Sequence, residues 1–481
     1  MKTVYACVFQ EDALVVKSML ESTGMACELL SGGKLDVNPL FNVDTTGFTV
    51  VVPDEFEADA KAVVADFMAS SKGGPAPAGE PASAQSGESA ALNALAARFA
   101  ARAVHHRRAL HAIPEAGLDL PRTTAYIRQA LAAAGVAYRD AGGGIVADLG
   151  TDGPLVAVRA DMDALPVTEE TGLPFASGIP GYMHACGHDA HAGTLLAAAE
   201  ALKAEPPVGH RVRLIFQPGE EGFFGARFMI EAGCLDGVSA IVAGHVGDLS
   251  EELEPGQAGF MPGPMMAASD RFDGAFVGSG GHGSAPHHAL DPIPALAQFV
   301  LAAQTFRNRR PDQRKPFVVS ICQVSAGTAY NVIPGRAEFK GTARTLEPAE
   351  RELARTGLEQ VCRGAAMSGG VDCEFRWLGG YPPLSNDPEA ARVAMDAARS
   401  VLGDGSVREL TVPSMGGEDF AYYLEKVPGC FWFLNTQVPE RDIRFPNHHA
   451  CFDLDESMLE RLLAVNLAAA AALARAFGSR T

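Results

Sequence analysis

Positive charge is scarce in this chain of 481 residues: 39 Lys and Arg stand against 58 Asp and Glu, a formal net charge of −19. Such a surface repels phosphate backbones and anionic lipid head groups, which makes nucleic acid and membrane surfaces poor partners. A long apolar run is missing too. The most apolar helical stretch, Leu462 to Phe477, is Ala-rich, broken by Asn466 and Arg475, and shorter than the roughly 20 residues a bilayer crossing needs. The opening MKTVYACVFQEDALVV lacks an apolar region of secretory-leader length. The nine cysteines, an odd number without framework spacing, do not describe a disulfide scaffold. These absences predict reduced thiols in a cytoplasmic protein.

What is present is more than one core's worth of chain. Residues 2–8, 25–30 and 47–53 read as strands and 11–23 as an amphipathic helix. A second helix, from Asp54 to about Ser70, completes a small βαββα unit over residues 1–70. Residues 71–91 are almost wholly Gly, Pro, Ala, Ser and Glu, the composition of a flexible linker. From Leu92 a helix runs to Ala112, and a second covers Arg122 to Ala134. Strands at 145–149, 155–160, 211–217 and 240–245 then alternate with helices at 190–203 and 225–232. This alternation predicts a three-layer α/β domain with a mainly parallel sheet, whose reactive groups gather at strand ends. Between 268 and 379 the order changes to β-α-β-β-α-β, a ferredoxin-like insert, with Cys322 expected in its core. The α/β pattern returns over 380–481, so the domain begun at 92–267 is interrupted and then completed.

One stretch concentrates chemistry. Met183 to His191 reads MHACGHDAH, a thiol, a carboxylate and three imidazoles around Gly187. These are the side chains that hold zinc and neighbouring transition metals, and the glycine lets Cys186 and His188 point one way. Two ligands do not satisfy a metal, but strand ends supply others: Glu220 and Glu221 in FQPGEEG, His245 in AIVAGHV, and His448 or His449 in PNHHACFD. The set exceeds what one ion needs, which makes a two-metal site sharing a bridging group plausible. Adjacent glutamates also divide labour well, one as ligand and one as general base, with the spacing leaving open which is which. The Gly278–Gly283 stretch has the glycine spacing of a dinucleotide fingerprint. The helix that must follow at once is displaced to Pro292, so nucleotide binding is rejected.

The motifs RRALHAIPEAG, RADMDALP, MHACGHDAH, FQPGEEG, AGHV, GGHGSAPH, GTAYNVIPG, GTART, MGGEDF and NHHACFDLDE occur in this order over residues 92–478. They resemble those of the M20 metallopeptidase clan, in its amidohydrolase branch of N-acyl-amino-acid, hippurate and auxin-conjugate hydrolases. The resemblance implies two divalent metal ions (Zn, Mn, Co or Ni) held by Cys186, His188, Glu221, His245 and His448. It implies Glu220 as general base toward a metal-activated water and Asp163 as the carboxylate orienting the metal shell. His448 takes precedence over His449 because the clan's ligand lies four residues before the Phe of the Phe452-Asp453 pair. His282 resembles the clan's oxyanion-stabilising imidazole delivered across a dimer interface, and Asn331 and Arg344 resemble its binders of the substrate carboxylate. The implied protein is a homodimer joined through the insert, acting as lid. The chain departs from the clan after AGHV, where GDLSEELEPG replaces the usual aromatic and proline. The N-terminal unit resembles a small family of prokaryotic signal-transducing domains, through its opening strand, a helix ending in LESTG and a late VVVP strand.

The leading expectation is hydrolysis of the amide of an N-acyl amino acid or similar small conjugate. A dipeptidase or carboxypeptidase of the same clan is the rival within this chemistry, and a non-catalytic ligand sensor the rival outside it.

Overall fold

The computed structural model describes residues 2–7, 25–34, 46–56, 87–438 and 445–478, with single positions at 17, 20, 60, 61 and 64. The chain divides into two compact units, Met1–Ala84 and Gln85–Thr481. In the first, strands β1 (Lys2–Cys7), β2 (Glu28–Lys34) and β3 (Thr46–Val52) form an antiparallel sheet with β3 in the middle. Val50, Val51 and Val52 are buried, as are Leu20, Ala60 and Val64. The second strand lies three residues later than its apolar pattern suggests. The expected helices over 11–23 and 54–70 fall largely outside the described residues.

The second unit opens with a helix at Gly87–His111. This helix starts within the stretch read as linker, because Ala90 to Ala97 are good helix formers and Arg475 pairs with Glu88 at 2.6 Å. Helix Pro121–Ala133 follows, then β4 (Tyr138–Ala141), β5 (Gly144–Leu149), β6 (Leu155–Asp161), β7 (Arg211–Gln217) and β8 (Val238–Val246). Strands β9 (Ala258–Phe260) and β10 (Gly263–Met266) lead into the insert. The insert comprises β11 (Ala268–Val277), β12 (Gly281–His282), β13 (Phe317–Ala326), β14 (Val332–Ile333), β15 (Arg336–Thr345) and β16 (Asp372–Gly379). Beyond it come β17 (Leu384–Asn386), β18 (Val407–Glu409) and β19 (Gly429–Leu434).

The main sheet has eight strands in the order β18-β9-β19-β8-β6-β7-β5-β4. Its centre, β19-β8-β6-β7, is parallel, while β5 joins β7, and β9 joins β19, antiparallel. The period of two sorts side chains cleanly to the two faces. Cys430, Trp432 and Leu434 of β19 join one core with the helices Gly87–His111, His188–Ala204, Pro388–Leu402 and Met458–Phe477. Phe431 and Phe433 join the other core, with Ala226 and Met229 of helix Gly225–Glu231 and Tyr423 of the short helix Ala421–Leu424. This is the expected layered α/β architecture.

The insert's sheet is antiparallel in the order β13-β15-β11-β16, with helices Pro292–Arg309 and Pro348–Gly369 supplying its core. Cys322 departs from expectation: it is exposed. The pairing of β13 with β15 shifts register between Ile321 and Gln323, so Cys322 is the extra residue of a bulge and falls outside the inward alternation.

Candidate metal centre

The stretch from Met183 to His191 is held at both ends. Leu165 bridges Met183 on one side, and on the other Gly187, at φ 86°, caps the helix that begins at His188. A Cβ at Gly187 would lie 2.5 Å from Val246 Cγ2, so only glycine lets the turn pass against β8. This turn sends Cys186 and His188 toward the carboxyl ends of the central strands. Glu220 and Glu221 lie just beyond β7, and His245 occupies the penultimate position of β8. His448 arrives from far along the chain with a left-handed backbone, φ 72°, its N–H donating to Ala185 O at 2.7 Å. Beside it Asn447 Nδ2 donates to Cys186 O at 3.1 Å and Val246 O at 3.2 Å, tying the loop to both walls of the site.

Ligand atoms of Cys186, His188 and His245 lie within 4.8 Å of one another, as do those of Cys186, Glu221 and His448 and those of His188, Glu220 and Glu221. Cys186 belongs to two of these groups. Hydrogen bonds at the far side of each ring decide which nitrogen faces the group. His188 Nδ1 donates to Asp163 O at 2.9 Å and His245 Nδ1 to Val246 O at 2.9 Å, leaving both Nε2 lone pairs turned inward. His245 Nε2 lies 3.6 Å from Cys186 Sγ, and His448 Nε2 is 3.2 Å from Glu221 Oε1. His188 Nε2 is buried with no hydrogen-bond partner, and Glu221 Oε1 is buried with only His448 Nε2, at 3.2 Å and outside good hydrogen-bond geometry, beside it. Buried polar atoms left in that state are costly, and a cation between them would satisfy both. The donor set of thiolate, imidazole and carboxylate therefore fits a divalent transition metal.

The electrostatics point the same way. Burial opposes a charge on His188, but Asp161 and the Cys186 thiolate outweigh it and raise its pKa well above the ordinary value. The Cys186 sulfur and the Glu221 carboxylate, both close to the ring and favouring its protonated form, lift His448 to about 10. Protons on these rings supply the positive charge that the cluster demands, and a metal replaces them on binding. Burial drives His245 well below its ordinary value, with His191 adding to the shift, so its imidazole is neutral and ready to ligate.

Asp163 accepts the backbone N–H of Glu220 at 2.9 Å and that of Glu221 at 3.1 Å, fixing the two glutamates as a pair. Glu220 is buried and makes no ion pair among the described residues. Its burial, together with Glu418, Glu221 and Asp419, raises its pKa well above the carboxylate range. A carboxylate of raised basicity beside a ligand cluster is suited to taking a proton from water. Asp189 and His191 are engaged by other partners, although His191 also forms a group with Asp161 and His188 whose ligand atoms lie within 4.8 Å of one another. Asp189 Oδ2 meets His111 Nδ1 at 2.8 Å, while His191 bridges Asp161 at 2.5 Å and the Val246 N–H at 2.9 Å. His184 is buried with neither ring nitrogen partnered, and burial takes its pKa down to about 3. His449 stacks on Phe445 and its Nδ1 accepts the Cys451 N–H.

The cluster opens into a cleft of about 480 Å³ between the main sheet and the insert, lined among others by Cys186, Glu220, Glu221, His448 and Arg344. His282 and Asn331 are not brought there. Both lie on the exposed side of the insert, where β12 pairs with β14. Several supporting residues carry no signal in the sequence beyond sitting near the motifs. Tyr381 hydroxyl contacts Glu220 O and accepts the Gly222 N–H at 2.6 Å. The fully buried Arg159 binds Asp161 at 2.6 Å and Glu418 and Asp419 each at 3.0 Å, neutralising the acids behind the site. MGGEDF marked the last two as noteworthy without indicating a role.

Fold and site together define a metal-dependent hydrolase acting on amide bonds. The family model of peptidase family M20/M25/M40 matches residues 157–472, and the chain belongs to that family. It is 40% identical over 367 residues to an N-acetylcysteine deacetylase of Bacillus subtilis, covering 75% of this chain and 94% of that protein. It is 37% identical over 363 residues to thermostable carboxypeptidase 1 of Saccharolobus solfataricus, covering 74% and 91%. Among solved structures, a dinuclear metal binding peptidase from the M20 family of Bacillus subtilis superposes with a TM-score of 0.67 at 36% identity, covering 79% of this chain and 99% of that one. Among the described residues, no helix is long and apolar enough to cross a membrane.

Proposed function

We propose that the chain hydrolyses the amide of an N-acyl amino acid or a similar small conjugate. The observation that carries this reading is the cluster of Cys186, His188, Glu221, His245 and His448 at one end of the cleft, with His188 Nε2 buried and unpartnered, next to a basic Glu220 in a cleft of small-molecule size. Those five residues would hold two divalent ions, Cys186 being the donor common to the His188–His245 and the Glu221–His448 groups. Bound there, zinc, manganese, cobalt or nickel supplies Lewis acidity for the water and the amide carbonyl. Glu220 takes the water's proton and passes it to the leaving amine, and Asp163 keeps Glu220 and Glu221 in register for these separate tasks. Arg344 receives the substrate carboxylate. His282 and Asn331 reach the cleft of a second copy, which makes the working unit a homodimer joined through the insert. Residues 1–70 are an accessory unit tethered by the segment before Leu92, since they contain no acid, base or ligand constellation.

The identity to N-acetylcysteine deacetylase supports the acyl-amino-acid reading. The likeness to a carboxypeptidase supports a second reading, cleavage of dipeptides or of a carboxyl-terminal residue. Hydrolysis of a panel of hippurate, N-acetyl amino acids and dipeptides, after chelation and after metal return, tests both. Activity lost and restored with the metal, highest on substrates without a free α-amine, is expected; activity indifferent to the chelator sinks the metal mechanism. Glu220→Gln should keep its metal and lose turnover by at least about a hundredfold, and full activity in that variant removes Glu220 as the base.

A further inference from the structure

The insert is well supplied with arginines, and most have been given a partner. Arg336 pairs with Glu338 and Glu374, Arg351 with Asp270, Arg355 with Glu352, Arg363 with Glu359 and Arg376 with Asp273. The two that line the cleft, Arg271 and Arg344, form no ion pair among the described residues. In a chain of net charge −19, guanidiniums that face a cleft without a carboxylate are held for something that enters it.

Strand register places both on one face. Ser269 is opposite Arg344, and Arg271 is opposite Thr342, so the two arginines are diagonal neighbours on adjacent strands β11 and β15. Arg344 Nη1 is buried with no hydrogen-bond partner. Burial lowers the Arg344 pKa, and the nearby charge of Arg271 pushes the same way. Arg271 lies over the Phe224 ring, 5.9 Å from its centroid, which steadies a side chain otherwise free to swing out. Across the cleft the core contributes three acids, Glu220, Glu221 and Glu418, beside the imidazoles of His245 and His448. Arg271 and Arg344 are the guanidiniums that line the cleft, so a ligand carboxylate that does not take part in the reaction is drawn to the insert side. One guanidinium matches one carboxylate; the pair leaves room for a second.

Building on the hydrolase reading above, we infer that the preferred substrate carries two carboxylates, the α-carboxylate on Arg344 and a second on Arg271. The second carboxylate belongs either to an acidic amino acid or to a dicarboxylic acyl group, and both present the same chemistry to Arg271.

Three probes separate these cases: N-acetyl-L-alanine with one carboxylate, N-acetyl-L-glutamate with the second on the amine side, and N-succinyl-L-alanine with it on the acyl side. Binding is measured by calorimetry on the metal-loaded Glu220→Gln variant, which reads recognition without needing turnover, and kcat/KM is measured on the unaltered enzyme. At least one of the two-carboxylate probes should bind about tenfold or more tightly than N-acetyl-L-alanine. Arg271→Gln should erase that difference and Arg271→Lys restore part of it. Equal binding of all three, or a preference that survives Arg271→Gln, overturns the inference even if every probe is hydrolysed. Preferential binding of a two-carboxylate probe with no turnover of any of them leaves the inference standing and removes the amidohydrolase reading instead.

Discussion

Asp163 shows how much of the site depends on a residue that need not touch metal or substrate. Its two carboxylate oxygens each accept one backbone N–H, from Glu220 and from Glu221, so a single side chain sets the aim of two others. Asparagine has nearly the same shape but offers an NH2 where the second N–H now finds an acceptor, and two donors then face each other. Asp163→Asn should weaken metal affinity about 10- to 100-fold while leaving the protein folded, as read by competitive metal titration and circular dichroism. Unchanged affinity would reduce Asp163 to a packing role. At this scale the sequence was informative wherever chemistry is carried by a side chain at a strand end, as with Cys186, His188, Glu220, Glu221 and His245. It was silent on Tyr381, whose partners are backbone groups of the Glu220–Gly222 loop and so leave no complementary residue type to read.

Between elements, the joint that matters is where the end of helix Gly87–His111 meets the start of helix His188–Ala204. His111 lies in the last turn of the first and Asp189 in the first turn of the second, so each charge suits its helix dipole as well as the other. Arg107 also reaches Asp189, at 3.3 Å, and Glu169 meets the other ring nitrogen of His111 at 3.2 Å. Burial opposes the charge on His111, but Asp189 and Glu169 overcome it and raise its pKa from 6.5 to about 9. A raised value in the folded state means that this contribution is fully present below pH 6.5 and is lost as pH rises through about 9. Glu169 has the opposite sign: burial works against its charge, His111 wins, and its pKa falls from 4.5 to about 2, so its share is present above 4.5 and fades toward pH 2. Urea unfolding of the chelated protein from pH 6 to 9.5 should therefore show stability falling, His111 contributing up to about 3 kcal/mol, and His111→Gln should remove that share while the slope from His188 and His448, also raised without metal, remains. Parallel slopes in the two proteins would mean that His111 is neutral in the fold. Both helices were legible from periodicity and stop signals; their mutual ion pair, 78 residues apart along the chain, was not, because spacing reports only contacts within one helix. The bulge that turns Cys322 outward escaped for a related reason, since alternation assumes an unbroken register.

On the scale of the whole molecule, the β-α-β-β-α-β order of the insert was readable because each element is locally patterned, whereas the destination of His282 and Asn331 was not readable within a single chain. Both lie on the exposed side of the insert, outside the cleft. Their surroundings are unusual for a surface that faces only water. Strand β13 is an edge strand whose last residues are exposed, and Val324, Tyr330, Val332 and Leu290 are exposed apolar side chains on or beside β12–β14. Open edges and grouped apolar side chains are features that proteins cover, and a second copy of the chain is the cover we propose.

If that cover also delivers His282 to the neighbouring cleft, two defects in different subunits repair each other. A Glu220→Gln subunit has no base of its own yet offers a sound His282, and a His282→Ala subunit has a sound Glu220 and lacks only the imidazole its partner would bring. Each variant alone should be close to inactive as a homodimer. Co-expressed with distinct tags and purified through both, the mixed dimer holds one complete site, with Glu220 from one chain and His282 from the other. Its activity should be about half that of the unaltered dimer, by the symmetry of two equivalent sites. Were His282 to act within its own chain, neither site of the mixed dimer would be complete, and mixing would restore nothing. A single monomeric species in sedimentation, with activity intact, would remove the dimer and with it the trans role of His282.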